Sequence, residues 1–164
     1  MGEKITSFNP VIDQNSAVMI LGSMPSRESL RKQEYYGNNR NHFWSILFSI
    51  FDTEPIESYD SRIAFIKEHH IALWDVLKFC ERKGSLDVQI KNGYPNPIDE
   101  LLREYPNIKA LFFNGQKSFQ VYTKYFSHLT IPTHRLPSTS PIPGKYNKNR
   151  LEKIEQWKIL QNYL

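Results

Sequence analysis

The sequence lacks several features that would assign it to particular classes of protein. Its single cysteine, Cys80, excludes an intramolecular disulfide and any zinc or iron–sulfur site with four cysteine ligands. No apolar run approaches the roughly 18 residues that a membrane span requires. Residues 1–7 also lack the apolar core of a signal peptide. We therefore predict a soluble, cytoplasmic protein with no membrane partner.

Signatures of phosphate binding, serine nucleophiles and metal coordination are also missing. Residues 22–26 (GSMPS) contain one glycine, which is too few for a phosphate-binding loop, and form no Gly-x-Ser-x-Gly elbow. His69 and His70 are adjacent, so they cannot form an i, i+4 metal pair, and the other histidines are isolated in the sequence. We expect neither a metal nor a cofactor.

What the sequence does contain is typical of one globular domain, residues 1–164. The chain of 164 residues has 40% hydrophobic and 23% charged residues, close to ordinary globular usage. It has 21 Lys and Arg against 17 Asp and Glu, a formal net charge of +4. This surplus, with a pI near 9.1, permits a nucleic-acid partner without proving one.

Short apolar segments alternate along the chain with amphipathic ones, which predicts alternating strands and helices. The predicted strands span 17–22, 71–77, 108–113 and 130–136, and the predicted helices span 41–52, 60–69, 97–104, 115–126 and 150–163. The last helix should turn Leu151, Ile154, Trp157 and Leu160 inward. Residues 81–97, rich in Gly, Asn, Pro and charge, predict a long surface loop.

This alternation predicts an α/β fold with three layers, a four-stranded parallel sheet between helices. In open parallel sheets, ligands bind outside the carboxyl ends of the strands. The rule selects four loops, which begin at Gly22, Trp74, Asn114 and Pro137. Polar residues of interest cluster in these loops.

Each polar cluster allows a structural and a functional interpretation. Residues 35–44 (YYGNNRNHFW) place Asn41 as a helix N-cap, or they build a pocket with aromatic faces for a base and amides for its polar edges. Asp75 is either a general base or the cap of the next element. Asn114 forms a turn or reads a base edge. Residues 137–141 (PSTSP) are a plain surface loop or hold phosphate oxygens.

Taken in order, these segments resemble the motifs of the uracil-DNA glycosylase superfamily, and within it most closely the hypoxanthine-DNA glycosylase family. The resemblance covers about residues 18–141. The matching segments are 22–26 (GSMPS), 35–37 (YYG), 40–44 (RNHFW), 71–77 (IALWDVL), 84–87 (GSLD), 113–115 (FNG) and 136–141 (LPSTSP).

The resemblance implies an enzyme that acts on DNA containing a deaminated base, chiefly hypoxanthine, and cleaves the N-glycosidic bond. Separately, we expect a monomer. By analogy, Asn41 would be the catalytic residue. The base pocket would consist of Gly22, Ser23, Met24, Pro25, Tyr36, Gly37 and Asn114, with Tyr36 stacking on the base. The DNA-binding and intercalation loop would consist of Arg40, Leu136, Pro137, Ser138, Thr139, Ser140, Pro141 and Lys145, with Arg40 and Lys145 at phosphates.

Two positions depart from the family pattern. A related branch has a water-positioning asparagine at the position of Met24, so this duty would pass to Asn41. The family commonly has proline where this chain has Asn39.

No lysine is placed as a Schiff-base nucleophile, which predicts a glycosylase without strand-cleaving activity. A non-catalytic nucleotide or nucleic-acid binding module and a hydrolase of free nucleosides remain the alternatives.

Overall fold

The computed structural model describes residues 2–141 and 149–164. Its strands are β1 (Glu3–Thr6), β2 (Val18–Gly22), β3 (Ile71–Asp75), β4 (Leu77–Arg82), β5 (Lys91–Pro95), β6 (Ala110–Asn114) and β7 (Thr133–Leu136). Its α-helices are α1 (Arg27–Lys32), α2 (Phe43–Ile50), α3 (Tyr59–Glu68), α4 (Ile98–Glu104), α5 (Gln116–Phe126) and α6 (Arg150–Trp157). Short 3-10 helices cover Asp87–Gln89 and Lys158–Tyr163.

The four predicted strands form one parallel sheet in the order β3-β2-β6-β7. β2 lies inside the sheet, where Ile20 pairs with Leu73 on one side and with Phe112 on the other. β2 and β3 are buried along their whole length, as expected for parallel strands covered on both faces. Their continuous apolar sequence follows from this burial.

Helices cover both faces of the sheet, which confirms the predicted three-layer α/β/α architecture. α2, α3 and α6 pack on one face through a cluster that includes Phe43, Phe65 and Trp157. α4 and α5 pack on the other face through a second cluster that includes Ile98 and Tyr122. Because neighbouring residues of a strand point to opposite faces, each strand supplies both clusters in alternation.

The prediction of a surface loop over residues 81–97 was wrong. β1, β4 and β5 form a second, antiparallel sheet in the order β1-β4-β5. β5 is an edge strand that pairs through its backbone, so Gly, Asn and Pro suit it although they are typical of loops. Phe79 and Tyr94 stack across the pair with ring centroids 5.1 Å apart. The predicted strand 71–77 accordingly divides at Val76 into β3 and β4.

The inward orientation predicted for Leu151 was also wrong, since its side chain is 72% exposed. Trp157 and Leu160 are buried and Ile154 is partly buried, as predicted. Leu151 lies in the first turn of α6, which ends at Trp157 and continues as a 3-10 helix. Among the described helices, none is long and apolar enough to cross a membrane.

Candidate active site

The loops after β2, β3, β6 and β7 meet at the carboxyl edge of the parallel sheet and border a cavity of about 350 Å³. Ten of the residues predicted for the site line it: Gly22, Ser23, Met24, Pro25, Tyr36, Asn41, Asn114, Ser138, Thr139 and Ser140. Asp75 and Asp87 line it as well. The edge selected by strand order therefore does carry a cavity of ligand size.

Five more of the predicted residues are described but do not line this cavity. Arg40 and Pro141 border a smaller cleft that shares Asn41 and Ser140 with it. Gly37 is buried and its N–H donates to Ser29 Oγ at 2.8 Å. Leu136 ends β7 inside the core at 5% exposure and Pro137 follows it. Lys145 lies outside the described residues.

Asn41 precedes His42, the N-cap residue of helix α2, yet its side chain makes a capping hydrogen bond to the helix, and it also lines the cavity. Its Oδ1 accepts a hydrogen bond from the N–H of Phe43 at 2.9 Å, and its own N–H donates to Asn38 O at 2.9 Å. The structural and functional interpretations of Asn41 are thus compatible. The cap fixes the amide orientation, while Oδ1 retains a second lone pair and Nδ2 its two donors for another partner.

Asn114 joins the end of β6 to the loop after β7. Its Nδ2 donates to Thr139 Oγ1 and its Oδ1 accepts from the Thr139 N–H, both at 3.0 Å. The Thr139 carbonyl in turn accepts from the N–H of His42 at 3.0 Å. Thr139, 1% exposed, therefore acts as a clamp between two loops. Each polar atom of the Asn114 amide keeps capacity for one further hydrogen bond.

Buried Lys153, in α6, contacts the loop after β7 that contains Thr139. This residue was not predicted for the site from the sequence. Its Nζ donates to Ser140 O at 3.3 Å, and the side chain is nearly inaccessible to solvent. Burial lowers the pKa of Lys153. A lysine on the inward side of an amphipathic helix was the signal that could have revealed this contact.

The antiparallel sheet positions the loop after β2. The buried guanidinium of Arg82, in β4, donates to Pro25 O at 2.5 Å, and Ser23 Oγ donates to Asp87 Oδ1 at 2.5 Å. Met24 packs beside Leu77 in a small apolar cluster. The second sheet, absent from the predicted fold, is therefore the support of one cavity wall.

Tyr36 forms part of the cavity wall in a left-handed backbone conformation, with φ +54°. Its ring stacks on Phe43 with centroids 3.8 Å apart and planes 14° from parallel. Burial raises the pKa of Tyr36 far above its ordinary range, the Asp75 carboxylate adds to this, and Asn114 opposes it. The hydroxyl is thus neutral, and one ring face is covered by protein.

Asp75 ends β3 at 4% exposure. Burial, reinforced by the negative charge of Asp87 and opposed by Arg82, raises the pKa of Asp75 to about 7. The sequence left open whether Asp75 is a general base or a cap, and the predicted set of site residues did not include it. Within the described residues, no group of three or more His, Cys, Asp or Glu side chains could hold a metal ion.

Comparison with known proteins agrees with this geometry. Residues 10–161 match the family model of the uracil DNA glycosylase superfamily. The chain is 36% identical over 144 residues to a protein named hypoxanthine DNA glycosylase from Methanosarcina acetivorans, covering 87% of this chain and 90% of that protein. It is 43% identical over 117 residues to one of the same name from Methanosarcina barkeri, covering 70% and 73%.

A solved structure shares the whole fold. The solution NMR structure of a candidate uracil DNA glycosylase from Methanosarcina acetivorans superimposes with a TM-score of 0.81 at 33% identity. The match covers 97% of this chain and 99% of that one. The likeness therefore extends over nearly the whole length of both chains.

Proposed function

The chain belongs to the uracil DNA glycosylase superfamily, and from this membership we propose that it excises hypoxanthine from DNA. The relatives named hypoxanthine DNA glycosylase support this choice of base. The observation that carries the proposal is the Asn41 amide, fixed by the cap of α2 at the wall of a base-sized cavity. We further propose a monomeric, single-domain, monofunctional enzyme that leaves an abasic site.

Hydrolysis of the N-glycosidic bond builds positive charge on the sugar and negative charge on the departing base. Asn41 would orient the attacking water, since its Oδ1 has a lone pair beyond the one that accepts from Phe43. An amide is a weak base, so rate comes from orientation and electrostatics more than from proton abstraction. Asn114 would donate from its remaining N–H to the base edge.

Base binding requires the nucleotide to leave the duplex, which is easiest for a poorly paired base. The face of Tyr36 opposite Phe43 would extend the Phe43–Tyr36 stack with the flipped base. Residues 137–141, clamped through Thr139, would face the groove that the nucleotide leaves. Arg40, exposed at the adjoining cleft, would contact phosphate, as we also propose for Lys145.

Single-turnover cleavage of labelled duplexes that contain one deoxyinosine, one deoxyuridine or only normal bases tests the proposal, with alkali revealing abasic sites. We expect hypoxanthine release, reduced about 100- to 1,000-fold in Asn41→Ala. Asn41→Asp retains an acceptor for the Phe43 N–H. Comparison of the two variants therefore separates the effect of losing this hydrogen bond from the effect of losing the amide that orients water. Exposed Asn15 precedes the opposite end of β2, and Asn15→Ala should behave as wild type.

Other outcomes favour the alternatives. Tight duplex binding without base release from any lesion would contradict the enzyme and favour a binding module. Rapid hydrolysis of free deoxyinosine with little affinity for duplex DNA would favour a nucleoside hydrolase. Full activity in Asn41→Ala would retain the glycosylase and reject Asn41 as the catalytic residue. A covalent adduct trapped by borohydride would overturn the monofunctional mechanism.

A further inference from the structure

Two buried polar atoms in the cavity wall make no well-formed hydrogen bond among the described residues, although the Asn114 side chain lies close enough to Tyr36 to lower the pKa of its hydroxyl. They are Asp75 Oδ2 and Tyr36 Oη, both shielded from solvent. Both side chains lie against Gly22: a Cβ built there would meet Asp75 Oδ1 at 2.7 Å and Tyr36 Oη at 3.3 Å. The two groups therefore occupy the same part of the wall.

Buried polar atoms in folded proteins are nearly always hydrogen-bonded, because desolvation without a partner is unfavourable. Asn114 shows the usual arrangement in the same cavity, since both ends of its amide bind Thr139. Asp75 and Tyr36 instead keep unused hydrogen-bonding capacity at a cavity lined by both. A polar molecule that enters the cavity therefore meets the wall in which this unused capacity lies.

Burial, together with the charge of Asp87, raises the pKa of Asp75 to about 7, so a substantial fraction of the carboxyl is protonated at neutral pH. Asp87 from the 3-10 helix repels a second negative charge, and Arg82 from β4 only partly offsets burial. No salt bridge to Asp75 occurs among the described residues. Tyr35 and Tyr36 are both neutral, because burial and the Asp75 charge raise the pKa of each hydroxyl. A protonated carboxyl group is a hydrogen-bond donor.

We propose that Asp75 is a further catalytic residue, which donates its proton to a nitrogen of the leaving base while Tyr36 Oη binds the same base. The inference rests on the glycosylase function proposed above. As the bond between C1′ and the base nitrogen breaks, its electron pair stays on the base, which takes the Asp75 proton. Water forms the new bond to C1′ and loses a proton, which returns through solvent to the Asp75 carboxylate.

This division of labour agrees with the contacts of both side chains. Asn41 retains a lone pair for a water, whereas a neutral carboxyl cannot accept a proton from that water. Hypoxanthine has ring nitrogens that accept a proton, and protonation stabilises the base as it leaves. Asp75 and Asn41 would thus act on opposite partners of the breaking bond.

The test is the pH dependence of single-turnover hypoxanthine release in wild type and Asp75→Asn. In wild type, the rate should fall about tenfold per pH unit above about pH 7, where the carboxyl loses its proton. Asp75→Asn has nearly the same shape but no transferable proton. We expect its rate to be about a hundredfold lower at pH 6.5, and flat over the range in which wild type declines.

Asp87→Asn provides an independent variant, because it removes the charge that raises the pKa of Asp75 but keeps an acceptor for Ser23 Oγ. The decline should begin at lower pH in this variant. If the group that titrates were the substrate base and not Asp75, the rate would begin to fall at the same pH in Asp87→Asn as in wild type. Affinity for a duplex that carries 2′-fluorinated deoxyinosine, which resists cleavage, checks that Asp75→Asn still folds and binds.

The outcomes separate this inference from the function on which it rests. Release of hypoxanthine by wild type and Asp75→Asn at the same rate, with the same fall at high pH, would overturn the role of Asp75 and leave the glycosylase function intact. An unmoved decline in Asp87→Asn would also contradict it. A wild-type protein that releases no base would overturn both the glycosylase and this role.

Discussion

The interior of the parallel sheet and its carboxyl edge differ in how completely their groups are satisfied. In the interior, Ile20, Leu73 and Phe112 are fully buried, and neighbouring strands pair in regular register. At the edge, Asp75 and Tyr36 bury polar atoms that make no well-formed hydrogen bond among the described residues. The two regions are only a few residues apart on the same strands.

This difference separates stability from function. Packed apolar side chains stabilise the fold in proportion to the surface they remove from water. Unpaired polar groups destabilise it, and they are retained where they bind something. Substitutions in the interior should therefore reduce stability with little change in the rate of base release. Substitutions at the edge should change this rate more than they reduce stability.

The largest expected effect on stability is that of Phe112→Ala. The side chain is fully buried in β6 and packs against His134 and Tyr163. Removing a buried phenylalanine lowers the free energy of unfolding by about 3–5 kcal/mol. Urea unfolding measures the loss, and Phe112→Leu should lose less. Cleavage per folded molecule should stay near wild type, and a large fall in it would contradict the separation.

A smaller effect of opposite sign is expected for Asp75→Asn. Between the ordinary pKa of 3.8 and the native value of about 7, the folded state holds a proton that the unfolded chain has lost. Asp75 therefore lowers stability as pH rises through this window, and its full penalty is present above pH 7. Asparagine removes the penalty. The stabilisation at pH 8 should exceed that at pH 5 by roughly 2–3 kcal/mol.

Urea unfolding of both proteins at the two pH values measures this difference. Exposed Asp60→Asn, in the first turn of α3, is a matched control whose effect should be small. Equal effects of Asp75→Asn at pH 5 and pH 8 would mean that Asp75 is ionised in the native protein throughout. That result would contradict the proposed difference between the sheet interior and its carboxyl edge, because Asp75 would then carry no penalty for burial of its charge.

The sequence was sufficient to predict the central sheet because its signals are local. β2 and β6 are short apolar runs, and α2 and α5 carry apolar residues at helical spacing. Strand and helix alternation then determines the direction of the sheet and the edge that carries the cavity. The antiparallel sheet was missed because β5 pairs through its backbone, which leaves no pattern in its side chains.

The site was predicted in part for a related reason. Asn41 and Asn114 follow or precede elements that the sequence defines, so their positions at the cavity could be predicted. The charged groups that shift the pKa of Asp75, Asp87 and Arg82, lie on the 3-10 helix and on β4, which the predicted fold did not contain. Contacts between Lys153 and Ser140, or Arg82 and Pro25, join segments far apart in sequence. No local pattern encodes such pairs.

The smallest expected effect on stability, but a large one on activity, is that of Gly22→Ala. The added Cβ would lie 2.7 Å from Asp75 Oδ1 and 3.3 Å from Tyr36 Oη, so the cavity wall must shift. Overpacking of this kind destabilises by about 1–2 kcal/mol, and displacing both groups should slow base release at least tenfold.

Gly84→Ala is the matched control, because its Cβ would meet the flexible end of the Gln89 side chain, also at 2.7 Å. The same steric overlap, against Gln89 instead of Asp75 and Tyr36, should leave the rate of base release near that of wild type. Single-turnover cleavage and urea unfolding of the two variants give the comparison. Equal losses of activity would mean that the chemistry does not depend on the positions of Asp75 and Tyr36, because a general loss of packing would then explain both variants.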